Sequence, residues 1–269
     1  MTDSLLRENV MIITGASSGI GRALSIQLAA QGAWLSLAAR DADRLAEAVA
    51  ECRQRGGRAI AVKTDVANES DCRNLIERTA SEYGRVDTLV NNAGISMWTP
   101  FDQLRDLSIL DKMMRVNYLG AAYSAYYALP YLKQTRGRLV AVSSLAGMNG
   151  IPTRSGYAAS KHAMAGFFDS LRIELAETGV TVTVIYPGFV KSEIRERAAG
   201  ADGQPLKKSP VREAEVMTAE ECARIMIKAI ERRQRQEVMT LRGKLGQWAK
   251  LIAPGFVDRM ARAAIERGR

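Results

Sequence analysis

The 269-residue sequence has no apolar run long enough to cross a bilayer, for which a helix needs about 20 consecutive apolar residues. The eight residues ahead of the first strand-like run, NVMIIT, lack the apolar stretch of a signal peptide. A cytoplasmic chain is therefore expected. Cysteine is scarce. Cys52, Cys72 and Cys222 are odd in number, scattered and outside any metal-ligand spacing, so reduced thiols are expected rather than a disulfide or a metal site. Histidine is scarcer still: His162 is the only one. It follows Lys161 and faces away from Tyr157, so no Ser/His/Asp grouping can form there, and it reads as a packing or interface residue. There is no zinc-finger or RNA-binding signature, which argues against a nucleic-acid partner. Internal repeats and domain linkers are also missing.

Hydrophobic residues make up 47% of the chain, enough for a large core and against disorder. The formal net charge of +9 is uneven. Residues 191–269 carry 18 Lys+Arg against 11 Asp+Glu, and residues 1–190 carry 20 against 18. A basic tail favours anionic membrane, nucleic acid or an acidic carrier; it is also what a solvated helix surface looks like.

Strand-like and helix-like runs alternate. VMIIT, AWLSLAA, RAIAVKT, DTLVNNAG, RLVAVSS, TVTVIYPG and EVMTL read as seven strands, with helical periods between them. The expected fold is α/β: one doubly wound (Rossmann-type) parallel sheet of seven strands, helices on both faces, and a C-terminal helical extension. A dinucleotide-binding catalytic domain is expected over 1–242, with 243–269 as an amphipathic extension of it. Glycine, proline and charge after the sixth strand predict a lid near 190–215. Helices over 107–132 and 157–178 are apolar on more than one face, which predicts a homodimer or homotetramer built on them. In the ending, Leu245, Trp248, Leu251 and Ile252 form one apolar stripe and Phe256, Met260 and Ala264 a second, separated by Pro254-Gly255. These stripes are expected to pack on their own subunit or a partner; peripheral membrane contact is the alternative.

After the first strand comes TGASSGIG, then a helix. Strand, glycine turn and helix together present backbone N–H groups and a positive helix end to a phosphate. Gly15 permits the turn, Gly19 lets backbone approach a pyrophosphate, and Gly21 allows close helix–strand packing. The second strand ends at Ala39-Arg40, where many such sites carry an acid for the ribose hydroxyls. A guanidinium suits a 2′-phosphate by charge and forked geometry, so NADP(H) is preferred and NAD(H) is the alternative, with Asp41 directly following. Asp65-Val66 ends the third strand, where Asp65 can accept from an adenine amino group or cap the next helix. Asn91 and Asn92 offer amides that can tie neighbouring loops, and Gly94 permits close backbone approach. Asn117 sits mid-helix, where asparagine is a poor residue, so a hydrogen-bonding task is expected there.

The most informative stretch is Ser144–Lys161. Tyr157 and Lys161 are four apart in a helical run, on one face. Free tyrosine titrates near ~10, and an adjacent ammonium favours the phenolate, making an acid that works near neutral pH. Ser144, at a strand end, can hold the oxygen that the tyrosine protonates. Ser96, Met97, Trp98, Met148, Phe189 and Ile194 are the expected substrate pocket, its apolar members favouring a lipophilic ketone.

TGASSGIG, NNAG, Asn117, Ser144, the Tyr157/Lys161 pair and Pro187-Gly188, in this order, resemble the short-chain dehydrogenase/reductase family over about residues 8–241. The resemblance implies Tyr157 as general acid/base, Lys161 lowering its pKa and holding the nicotinamide ribose, Ser144 orienting the substrate oxygen, and Asn117 supporting a water next to Lys161. It also implies a cofactor site of Gly15, Ser17, Ser18, Gly19, Ile20, Gly21, Arg40, Asp65, Val66, Asn91, Ala93, Gly94, Tyr157, Lys161, Pro187, Gly188, Val190 and Ser192. The SSLAG motif, the Ala-Arg pair and the long tail look most like the hydroxysteroid and dehydrogenase/reductase branch. An N-terminal anchor common in that branch is not expected here. The implied activity is NADPH-dependent reduction of a carbonyl, or oxidation of the secondary alcohol. The alternatives are a 3-ketoacyl-carrier-protein-type reductase and a non-catalytic NADP(H)-sensing protein.

Overall fold

The computed structural model describes residues 5–210 and 216–267. All seven expected strands form: β1 (Val10–Thr14), β2 (Trp34–Ala39), β3 (Arg58–Lys63), β4 (Thr88–Asn91), β5 (Arg138–Val142), β6 (Thr181–Tyr186) and β7 (Gln236–Val238). They make one parallel sheet in the order β3-β2-β1-β4-β5-β6-β7. In register, Met11 lies beside Leu35 of β2 on one side and Thr88 of β4 on the other. The winding direction reverses between β1 and β4, which opens a crevice at their carboxyl ends.

The strands nearest this crevice read as unbroken apolar runs because both faces are covered. α1 (Gly19–Ala29), α2 (Ala42–Gln54) and α7 (Ala219–Glu231) cover one face, through Leu24, Leu28, Leu45, Met226 and Ile230. α3 (Glu69–Tyr83), α5 (Gly120–Thr135) and α6 (Ser155–Glu174) cover the other, through Leu75, Ile76, Ala125, Leu132 and Phe168. All three cysteines are buried and free. Burial pushes the Cys72 thiol up to about 11 and Cys222 up to about 12, so neither is a nucleophile at neutral pH.

The uniform helix expected over 107–132 needs correction. α4 (Ser108–Met114) runs into a π-helical turn, Arg115–Leu119, before α5 begins. Such wide turns often mark functional positions, and this one carries Asn117. Gly120 follows because the helix crosses the chain at Val66: a Cβ there would stand 2.6 Å from the Val66 carbonyl oxygen.

The expected lid is irregular over its described part, residues 190–210; positions 211–215 lie outside the described residues. It is stapled down on two sides. Ala199 donates to the Ser96 carbonyl at 2.9 Å and accepts from the Trp98 N–H at 2.9 Å. Glu193 takes both ends of the Arg44 guanidinium on α2, the longer bond at 2.8 Å.

α8 (Leu241–Ile252) and α9 (Pro254–Arg267) form the extension. Of the two packings expected for the apolar stripes, on their own subunit or on a partner, α8 does not make the first. Its small and polar side makes the contact instead. A Cβ on Gly243 would meet the Leu145 side chain at 2.5 Å, and Lys250 Nζ donates to the Met148 carbonyl at 2.7 Å. A larger residue there would have to displace the Leu145, Thr240 and Val238 side chains, and this approach leaves Leu245, Trp248, Leu251 and Ile252 outward; Trp248 is 69% exposed. Phe256 and Met260 of α9 are exposed as well, and the Ala264 side chain lies outside those described.

Candidate active site

At the mouth of the crevice, the turn after β1 uses backbone that only glycine adopts freely: φ is +67° at Gly15 and +51° at Gly19. A Cβ on Gly21 would come 2.3 Å from the Gly15 carbonyl oxygen, so α1 starts pressed against the turn. Ser18, its N-cap, makes no capping bond, and the first turn carries no acid. The positive helix end therefore faces the cleft with no carboxylate of its own to answer it, and the cradle fits a dinucleotide pyrophosphate. Thr14 and Asn92 lock the geometry. The Asn92 amide donates to the Thr14 carbonyl at 2.8 Å, and the Asn92 and Ala93 N–H groups both donate to Thr14 Oγ1 at 3.0 Å.

A cleft of about 950 Å³ opens over this cradle. Gly15, Ser17, Ser18, Gly19, Ile20, Arg40, Asp65, Val66, Ala93, Gly94, Pro187, Gly188, Val190 and Ser192 line it, together with Ser96, Ser144, Tyr157, Lys161, Phe189 and Ile194. Gly21 and Asn117 stand behind the lining. Asn91 is buried in β4 with both amide atoms lacking a partner; Asn92 is the one that reaches the cleft. Met97 is fully buried, packing with Ile109 and Met113, and Trp98 is buried against Phe189. Met148 lies under α8, touched by Gln247 and Lys250. These three back the pocket or flank it rather than line it. Ile95 and Ser96 line the cleft while Met97 and Trp98 turn into the core, a distinction composition does not carry.

Two acids near the adenosine end are already engaged. Asp41 caps α2, accepting from the Arg44 N–H at 3.1 Å. Asp65 accepts from the Ala67 N–H at 3.1 Å and so shapes the turn before α3. That helix is capped by Asn68, not Asp65. Arg40 is exposed and lines the cleft.

Tyr157 and Lys161 meet on one face of α6 as the spacing requires, with Lys161 Nζ 5.9 Å from the phenol ring centroid. Lys161 is buried and donates to the Val142 carbonyl at 2.8 Å. Ser144 follows β5 as the cap of a short 3₁₀ turn, its hydroxyl accepting from the Ala146 N–H at 3.2 Å. Asn117 holds the Ile95 backbone from both sides, accepting its N–H at 2.8 Å and donating to its carbonyl at 3.0 Å, and also donates to Ser160 Oγ at 2.9 Å. His162 points elsewhere and meets the Ala158 carbonyl at 2.9 Å.

Burial pushes the Tyr157 phenol up. Lys161, Arg154 and the Ser144 hydroxyl pull it down, and the pull prevails, leaving it below the ordinary phenol range. Burial also lowers Lys161, against the opposing field of Tyr157. The arrangement can donate a proton to an oxygen held between Tyr157 and Ser144 at the carboxyl edge of the sheet. Arg154 was not found by sequence reasoning. The one available signal was its place three residues before Tyr157, at the N-cap of α6.

The family model described as short chain dehydrogenase matches residues 9–202. The 11-beta-hydroxysteroid dehydrogenase-like 4A of Arabidopsis thaliana is 39% identical over 222 residues, which is 82% of this chain and 73% of that protein. The dehydrogenase/reductase SDR family protein 7-like of Dictyostelium discoideum is 31% identical, over 95% of this chain and 81% of its own. Among solved structures, the alcohol dehydrogenase of Thermococcus sibiricus complexed with 5-hydroxy-NADP superposes with a TM-score of 0.74 at 25% identity, covering 86% of this chain and 95% of that one. With the seven-stranded sheet, the glycine cradle and the Tyr157/Lys161 pair, these likenesses identify the chain as an NAD(P)-dependent oxidoreductase that belongs to the short-chain dehydrogenase/reductase family, in its hydroxysteroid-type branch.

Proposed function

We propose that this enzyme reduces the carbonyl of a small molecule with NADPH, or oxidises the corresponding secondary alcohol, with Tyr157 as the general acid or base. The observation that carries this reading is the buried phenol, held below its ordinary range between Lys161 and Arg154 and opening onto the cleft that holds the glycine cradle. The nicotinamide supplies the hydride when bound. Gly15, Ser17, Ser18, Gly19 and Ile20 hold the pyrophosphate, with Gly21 letting α1 press on the turn; Asp65 and Val66 serve the adenine end, with Asn92 shaping the turn and Asn91 buried behind it; Ala93, Gly94, Pro187, Gly188, Val190 and Ser192 border the nicotinamide half. Ser144 and Tyr157 grip the substrate oxygen, and Tyr157 delivers the proton as the carbonyl carbon is reduced. Lys161 keeps the phenol acidic, and Asn117 fixes the loop that roofs the site. Met97, Trp98 and Met148 support the pocket that Ser96, Phe189 and Ile194 face. NADPH oxidation with a panel of ketones tests the reading; no turnover of any carbonyl, with NADPH firmly bound, would contradict it and favour a sensor.

The preference for NADPH over NADH rests on Arg40. Asp41, the residue that would compete for the ribose, has its carboxylate committed to the α2 cap. A charge-assisted bond contributes about 1.5–3 kcal/mol, so Arg40→Ala is expected to weaken NADPH binding about 10- to 100-fold and leave NADH unchanged, read by fluorescence titration. Equal losses for both nucleotides would remove Arg40 from the phosphate site.

A homo-oligomer through α6 and its neighbour α5 fits the exposed strip His162, Gly166, Ser170 and Ile173, along which a Cβ on Gly166 meets nothing within 4 Å. Gly166→Arg is expected to shift the protein to monomer on size-exclusion chromatography with light scattering. An unchanged mass would place the contact elsewhere. The outward stripe of α8, with the basic excess beyond 190, supports peripheral contact with an anionic membrane. Phosphatidylserine vesicles should sediment the full chain and not a version lacking 243–269; identical behaviour of the two would sink that contact.

A further inference from the structure

The group that the proposed reaction leaves unexplained is Arg154. Its side chain is 6% exposed, yet it lines the same cleft as Ser144 and Tyr157. Three aromatic rings surround the guanidinium: its Cζ lies 4.3 Å from the centroid of Tyr157, 5.3 Å from Trp98 and 5.9 Å from Phe189. One terminal nitrogen donates to Ser96 Oγ at 2.8 Å. Nε has no acceptor, and among the described residues no carboxylate pairs with Arg154. The groups that act on it are Tyr157, whose phenol oxygen is hydrogen-bonded to it, and a second buried cation, Arg195.

Burying a guanidinium without a counterion is costly, several kcal/mol per ion after relaxation. Arginine does not escape by losing its proton. Buried charges in folded proteins are accordingly paired or hydrogen-bonded throughout. A purely structural pin would have its donors filled by carbonyls or carboxylates, as Arg172 of α6 does with Asp169 and with the Val182 carbonyl of β6. Arg154 instead lines the cleft with no carboxylate partner among the described residues and with its buried Nε unfilled, beside the phenol that protonates the substrate.

We propose that Arg154, with Ser96, forms an anion subsite, and that the substrate is an oxo acid whose carboxylate sits close to the reacting carbonyl. The inference rests on the carbonyl-reductase reading and narrows its substrate class. The aromatic walls take the rest of the molecule, so an apolar chain on the far side of the carbonyl fits alongside the acid. A carboxylate meets the planar guanidinium through parallel N–H bonds, which fix direction as well as charge. It supplies the counterion that the described residues do not. Ser96 Oγ, already bonded to Arg154, keeps the guanidinium plane from rotating away.

The test is a calorimetric titration of the enzyme saturated with NADP+, in which no hydride is available and binding is read without turnover. The probes are 2-, 3- and 4-oxohexanoate and their methyl esters. At least one acid is expected to bind about tenfold or more tightly than its ester, the order of one charge-assisted bond. Arg154→Met should abolish that ratio, and Arg154→Lys, which keeps charge without the fork, should retain part of it. Acids that bind no better than esters, or a ratio that survives in Arg154→Met, would overturn the subsite; so would a failure of all six to bind. Thermal unfolding separates a structural pin, for which Arg154→Met loses stability and weakens acid and ester alike. NADPH oxidation with neutral ketones is measured in parallel. If Arg154-dependent acid binding is found but no carbonyl is reduced, the subsite stands and the reductase reading falls.

Discussion

Tyr157→Phe is expected to lower kcat for carbonyl reduction by about 10²- to 10⁴-fold, the range for a positioned general acid, with NADPH affinity within a few-fold of wild type. The substitution removes one oxygen from a ring otherwise held by α6 and its neighbours Met97, Ile109 and Met113, so the fold and the cradle are untouched. In the proposed mechanism the surroundings of the phenol suit it to this task. Burial alone would raise it and make it a poorer acid; Lys161, Arg154 and Ser144 together reverse that and leave it lowered. Steady-state kinetics with the best ketone of the panel, alongside fluorescence titration of NADPH, decide the matter. A variant that keeps a tenth or more of the wild-type rate would show that the proton comes from water or another side chain.

The second large effect belongs to Lys161. Lys161→Met is expected to lower kcat on the order of 10²-fold and to weaken NADPH about tenfold, while leaving the melting temperature unchanged or higher. Two stability terms oppose one another. Removing a buried ammonium relieves a desolvation penalty of several kcal/mol. The Val142 carbonyl loses a charge-assisted bond of about 1.5–3 kcal/mol, but Val142 lines the cleft and its carbonyl can take a water instead. The first term wins, so stability and activity move apart. A melting temperature that falls sharply with the activity would recast Lys161 as a brace between α6 and β5.

Most of the frame was legible from sequence because the relevant physics is local. Strands buried on both faces read as continuous apolar runs, helices between them show their period, and the four-residue spacing of Tyr157 and Lys161 fixes a shared helical face. The glycine turn was legible for the same reason: φ of +67° and +51° has few other solutions. What stayed hidden depends on contacts between distant segments. The π-turn at Arg115–Leu119 shifts the helical phase by one residue, which the apolar pattern of 107–132 absorbs without trace. Asp41 is a local exception, with no cap role expected from sequence: it accepts from the Arg44 N–H at the start of α2. Asn91 ends β4 and is buried, while Asn92 begins the turn after it, and the cleft falls to Asn92. Arg154, a lone basic residue in a turn, has the sequence signature of a solvated one; only the fold puts it under Trp98, Tyr157 and Phe189. The C-terminal stripes were expected to pack on their own subunit or a partner; which of the two faces of α8 meets its own subunit depends on the approach of Gly243 to Leu145, a contact between distant segments.

The measurement that bears most directly on the central claim is the pH dependence of kcat for NADPH-dependent carbonyl reduction. Reduction needs the protonated phenol. Because the Tyr157 pKa is lowered from its ordinary value near 10, the rate should be level at low pH and fall as pH rises through a transition below that value. Alcohol oxidation, which needs the phenolate, should rise through the same transition. Lys161→Met should move it upward, since the strongest field favouring the phenolate is gone. A reduction rate that stays level to pH 10, or a transition that persists unchanged in Tyr157→Phe, would contradict the assignment of Tyr157 as the acid.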